Sequence, residues 1–115
     1  MKLTIVGLGV VGTSLGIALK GANADISIMG HDPEAENVKR AKKLGAIDKS
    51  HWNLISACEG AGMIVLDLSL EEVEKTLKAI QEYLTPSTVI IDMAPVKQPV
   101  FEVGRRLLPE GVQLI

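Results

Sequence analysis

The chain has 115 residues and a formal net charge of −2, and 47% of it is apolar while only 3% is aromatic. That length fits one domain with one core. The near-balanced charge is no footprint for nucleic acid, and no apolar run reaches the ~18 residues of a membrane span.

Residues 3–6 read as a short buried strand. The opening "MKLTIVGLGVVG" has the charge and apolar run of a secretion signal, but its glycine spacing argues for a strand and a turn instead. A helix follows from Val10, with Val11, Leu15, Ala18 and Leu19 on one face and Gly21 as its stop. Residues 25–30 are a second strand. The next helix starts at Pro33, where proline suits the first turn, and ends at Gly45 in the C′ place. Residues 46–48 form a very short strand and residues 53–59 a helical turn or two. The lone cysteine, Cys58, excludes an internal disulfide, reads as a small buried apolar residue and suits a reducing cytoplasm.

Residues 63–68 are the fourth strand. Ser69 and Glu72 have capping-box spacing, so a helix begins there, and Leu70, Val73, Leu77, Ile80 and Leu84 mark its apolar face. Glu71/Lys75 and Glu74/Lys78 are surface pairs worth roughly 0.2–0.5 kcal/mol each. Pro86 breaks that helix and residues 88–92 are the fifth strand. Val96, Val100, Val103 and Leu107 mark a last helix, stopped by Pro109 and Gly111, and residues 112–115 form a final strand.

Strands and helices thus alternate throughout, with no linker or internal boundary. Such alternation gives an α/β domain with helices on both faces of a parallel sheet. Right-handed crossovers then point to a Rossmann-type, doubly wound sheet of about six strands in the order 3-2-1-4-5-6. The expected single domain spans residues 1–115 and ends on its last strand, as a domain trimmed from a longer protein would.

Gly7, Gly9 and Gly12 form a G-x-G-x-x-G pattern. Alone it is weak, but here a strand precedes it, a helix begins inside it, and Asp32 lies twenty residues past Gly12 at the end of the second strand. Gly7 allows the tight turn, Gly9 lets backbone approach a pyrophosphate, and Gly12 lets helix pack on strand. Gly16, one turn on, extends that close contact. A phosphate would meet free N–H groups and the positive end of the helix dipole.

Asp32 has two compatible readings, an N-cap for the following helix and an acceptor for the adenosine ribose hydroxyls. A carboxylate there repels a 2′-phosphate, so NAD is expected to bind more tightly than NADP, although His31, Lys39 or Arg40 soften that repulsion. His31 reads equally well as an exposed loop histidine. The candidate cofactor contacts are Gly7, Leu8, Gly9, Val10, Val11 and Gly12 in the loop, His31 and Asp32 behind the second strand, Leu68 and Ser69 behind the fourth, and Met93 behind the fifth. No CxxC, HExxH or P-loop occurs, and no catalytic or metal-ligating residue is assigned.

"IVGLGVVGTSLGIALK", "GHDPEAENVKRAKKLGAIDKS", "DMAPVK" and "LLPEGVQLI" together resemble the nucleotide-binding half of prephenate and arogenate dehydrogenases. The resemblance implies an NAD(P)-dependent oxidative decarboxylation in tyrosine biosynthesis and a helical, dimer-forming C-terminal domain outside this chain. It also implies a catalytic histidine in a Gly-x-His-Pro motif beyond Ile115, a place that neither His31 nor His51 fits. Two positions depart from the family. In its Asp-x-x-Ser-x-Lys motif this chain has Asp92, Pro95 and Lys97, so the serine hydroxyl is missing, and Asp67 stands where the family tends to have a small residue. Lys97 reads as a residue aimed at the site or as a first-turn lysine in solvent. Asp67 reads as an acceptor for a loop N–H. The expectation is a domain that binds the dinucleotide and catalyses nothing alone, with small-molecule substrate handled by the whole protein. Pro95 keeps open the cofactor domain of another hydroxyacid or imine dehydrogenase. Two further alternatives are a regulatory nucleotide-sensing module, although its Gly-Asp-Ala-Thr is replaced by "GAIDKS", and an S-adenosylmethionine site, whose loop rarely keeps a third glycine.

Overall fold

A computed structural model describes residues 1–22, 25–95 and 97–115. Six strands, β1 (Lys2–Val6), β2 (Ser27–His31), β3 (Lys49–Ser50), β4 (Met63–Leu66), β5 (Val89–Asp92) and β6 (Gln113–Leu114), form one sheet in the order β3-β2-β1-β4-β5-β6. Every pairing is parallel. The helices are α1 (Val10–Ala22), α2 (Ala35–Lys43), α3 (Leu54–Cys58), α4 (Leu70–Ile80) and α5 (Gln98–Leu107). The expected architecture and strand order are therefore the observed ones. Val96, read above as part of the last helix, lies outside the described residues.

The alternation of side chains along each strand divides the core between the two faces. Leu3, Ile5, Ile28 and Val65 pack with Ala41 of α2 and Leu15 and Leu19 of α1 on one face. Val6, Ile64, Leu66 and Ile90 pack with Val73, Leu77 and Ile80 of α4 and Val100 and Val103 of α5 on the other. Buried Thr4 fits among these residues because its hydroxyl donates to the Ala57 carbonyl at 2.6 Å. Cys58 is buried as expected, and burial pushes its thiol up to about 12.

Several boundaries move for local reasons. The third strand is Lys49–Ser50, not residues 46–48, because Ala46 completes the end of α2: its N–H donates to Ala41 O while that of Gly45, at φ +75°, donates to Lys42 O. α2 begins at Ala35, two residues after Pro33, and its N-cap Glu34 has no side-chain cap, so Asp32 is not the N-cap. α4 keeps its capping box but ends at Ile80, where a 3-10 turn over Gln81–Tyr83 replaces the last α-turn before Leu84. Glu71 and Lys75 do pair, at 3.5 Å, but Glu74 pairs with Arg106 of α5 at 2.8 Å, and that guanidinium lowers the Glu74 pKa.

Asp48 ties α1 to the β2 edge. Its carboxylate accepts from Ile28 N–H at 2.8 Å and pairs with Lys20 Nζ at 2.9 Å. The Ile28 bond, then Lys20, hold it below its usual 3.8. A depressed folded pKa means stabilisation that is complete above the unfolded value and lost as pH falls through the folded one. Stability should therefore drop as pH falls below about 3.8. Denaturant unfolding at neutral pH and at about pH 3 should show a smaller acid loss in Asp48→Asn than in the wild type; equal losses would remove Asp48 from that role.

Candidate nucleotide site

The strand order reverses between β1 and β4, and a cleft of about 530 Å³ opens beyond their C-terminal ends. This is the switch point where doubly wound sheets take ligands. Gly7, Gly9, His31, Asp32, Asn37, Asp67, Leu68, Glu72, Lys75 and Thr76 are among its lining residues.

The glycine loop joins β1 to α1. Gly7 has φ +99°, and a Cβ there would lie 2.3 Å from Asp67 O. A Cβ on Gly12 would lie 2.1 Å from Gly7 O, so α1 sits directly on the loop. Gly9 differs: its Cβ would meet nothing nearer than Asp67 Oδ2 at 3.8 Å, so packing within the chain does not demand glycine there. The space is open to a ligand atom instead. Gly16 does allow a close approach, but to the carbonyl of Ala46 before β3, 2.4 Å from a Cβ, and not to the strand beneath α1.

Leu8 is the point at which the loop is clamped. Its N–H donates to Asp32 Oδ2 at 2.8 Å, and its carbonyl accepts from Thr13 Oγ1 at 3.1 Å and Arg40 Nη2 at 3.3 Å. Asp32 also accepts from Asn37 Nδ2 at 3.1 Å through Oδ2 and from Glu34 N–H at 2.8 Å through Oδ1. The Glu34 bond spans two residues and makes an Asx-turn, which takes the place of the expected helix cap. Asn37 and Thr13 are contacts that sequence reasoning misses. Asn37 had a readable signal, since it lies one turn into the helix behind Asp32. Arg40 is committed to Leu8 O and, at 3.0 Å, to Asn37 Oδ1.

His31 ends β2 and is half-buried, not an exposed loop residue; its Nδ1 lies 2.9 Å from His51 O, a contact that requires the proton on Nδ1. Leu68 lines the cleft. Ser69 is the α4 N-cap, its hydroxyl donating to Glu72 Oε1 at 2.9 Å. Val10 and Val11 begin α1 with exposed side chains, and their amides are the first of the helix, without intrahelical acceptors. Met93 is half-buried against the core beneath α1 and is not among the residues lining this cleft. Asp67 Oδ2 accepts from Gly12 N–H at 2.9 Å, as expected of a loop-bonding carboxylate.

Lys97 is not a first-turn lysine free in solvent. It is the α5 N-cap, with Nζ donating to Asp92 O and 3.4 Å from Asp92 Oδ2. Asp92 is 2% exposed, and its Oδ1 is a buried oxygen with no hydrogen-bond partner among the described residues. Among those residues no group of three or more His, Cys, Asp or Glu is placed to hold a metal ion, and no helix is long and apolar enough to cross a membrane.

This strand order, with a glycine loop at the switch point and a carboxylate at the end of β2, defines the Rossmann-type doubly wound class. A family model described as "Prephenate dehydrogenase, nucleotide-binding domain" matches residues 15–115. The chain belongs to that family. Curated prephenate dehydrogenases from Lactococcus lactis subsp. cremoris (strain MG1363) and Bacillus subtilis (strain 168) are 32% and 31% identical over 92% and 100% of this chain. The chain spans 30% and 32% of their lengths, about a third. The fold also matches a crystal structure of prephenate dehydrogenase from A. aeolicus in complex with hydroxyphenyl propionate and NAD+, with a TM-score of 0.85 and 22% identity over 97% of this chain and 40% of that one.

Proposed function

We propose that residues 1–115 are the dinucleotide-binding domain of a prephenate or arogenate dehydrogenase, with NAD as the preferred cofactor. The observation that carries this reading is Asp32. Its Oδ2 holds the glycine loop closed through Leu8 N–H, while Oδ1 accepts a single bond, from Glu34 N–H, and keeps capacity for a ribose hydroxyl in the cleft. Gly9 would admit the pyrophosphate, and the amides of Val10 and Val11 would donate to it at the positive end of α1. His31, Leu68 and Ser69 would border the same ligand, and Met93 would lie outside the cleft, packed on the core.

The nicotinamide, when bound, accepts the hydride of an oxidative decarboxylation. The residues of this chain bind and orient. His31 and His51 sit at the ends of β2 and β3, on the adenosine side of the switch point, so neither serves as a base at the opposite end of the dinucleotide. The domain by itself therefore holds cofactor and transfers no hydride. A helical second domain of the whole protein supplies the substrate pocket and the dimer contact, in a reducing cytoplasm that suits the free thiol of Cys58. Pro95, which offers neither hydroxyl nor N–H, favours one second reading, the cofactor domain of another hydroxyacid or imine dehydrogenase.

Calorimetric titration tests the cofactor. The Asp32 carboxylate should make NAD bind about tenfold or more tightly than NADP, a difference of about 1.4 kcal/mol or more, because its charge repels a 2′-phosphate while Arg40 Nη2 is held on Leu8 O and Asn37 Oδ1. Tighter binding of NADP would overturn the preference.

A further inference from the structure

Asp67 is the residue of the cleft that a pyrophosphate site explains least. Its carboxylate lies against the N-terminus of α1, with Oδ2 bonded to Gly12 N–H. It cannot easily move away as a whole. Its N–H donates to Val6 O at 2.9 Å, and its carbonyl is in close contact with Gly7, whose Cβ would overlap it. The carboxylate thus fills one of the few donor positions a diphosphate would use. It places a fixed negative charge beside the Val10 and Val11 amides that remain. The surroundings do not neutralise it. Asp32 and Glu72 line the same cleft, and its one lysine, Lys75, is mostly exposed and pairs with Glu71.

We propose that Asp67 is an affinity-setting residue of the nucleotide site. It acts as a built-in anion that holds the loop and helix together in the empty state and weakens the binding of diphosphate ligands. This inference rests on the dinucleotide reading above. Charge, not shape, carries the effect, so it scales with the charge of the ligand and is absent for a neutral one. Asp67→Asn retains the acceptor oxygen for Gly12 N–H and removes the charge, whereas Asp67→Ser removes both charge and bulk.

The test is calorimetric titration of wild type, Asp67→Asn and Asp67→Ser with adenosine, NAD and ADP. Both variants should bind NAD about tenfold more tightly than wild type and ADP more tightly still, with adenosine unchanged within about twofold. Added salt should shrink the gain. A purely structural Asp67 would instead leave affinities unchanged or weaken all three ligands together, and either result overturns the proposal. Equal gains for adenosine and ADP overturn it as well. Binding of NAD that is the same in all three proteins removes the role of Asp67 and leaves the dinucleotide reading standing. Failure of every protein to bind NAD, ADP or adenosine removes both. Melting curves without ligand check that each variant is folded.

Discussion

Gly12→Ala is expected to cost about 3 kcal/mol of stability and to abolish nucleotide binding. An added Cβ would lie 2.1 Å from Gly7 O and 3.3 Å from Ile5 Cγ2. The first is a backbone oxygen with no rotamer in which to escape, so α1 must lift from the loop. Overpacking of this kind costs typically 1–3 kcal/mol, occasionally more. For a domain of this size, about 3 kcal/mol lowers the melting temperature by about 10 °C or more. The same displacement moves the amides of Val10 and Val11 away from the cleft. Thermal unfolding and NAD titration of the variant check both effects. A variant that melts within about 2 °C of wild type would mean that the helix does not rest on the loop as described.

Asp32→Ala is the second large effect. It removes the acceptor for three donors at once: Leu8 N–H, Glu34 N–H and Asn37 Nδ2. Leaving a buried donor unpaired costs about 1–3 kcal/mol, and Leu8 is fully buried. The loop should loosen, and NAD affinity should fall by about tenfold to a hundredfold, through the lost ribose acceptor as well as the lost clamp. Asp32→Asn separates charge from shape. It should narrow the difference between NAD and NADP, because the repulsion of a 2′-phosphate disappears. An unchanged NAD:NADP ratio in calorimetry would show that the carboxylate does not select the cofactor.

These variants also mark where sequence and tertiary structure divide the explanation. Local chemistry identified Gly7, Gly12 and Asp32, because a glycine loop between a strand and a helix, with an acid about twenty residues on, is a pattern of short-range geometry. It identified the capping box of α4 for the same reason. The pairings of β1 with β4 and of β2 with β3 follow from alternation and handedness. The strand edges did not, since a two-residue strand such as β3 exists only because its neighbour offers hydrogen bonds.

Alternation, crossover handedness and glycine spacing all act over short stretches of chain, so the class of the domain, its strand order and its glycine loop are legible along the chain. Which groups meet across the cleft is set by packing across the sheet. Asp32 reaches Leu8 from 24 positions away, Arg40 reaches the same residue from 32, and Asp67 reaches Gly12 from 55. Such contacts depend on how β1, β2 and β4 stand side by side, and no periodicity along the chain encodes the position of a side chain across a sheet. Lys97 shows the same limit. Its residue type and helix position leave two readings open, and the buried Asp92 carboxylate beside it removes the one in solvent.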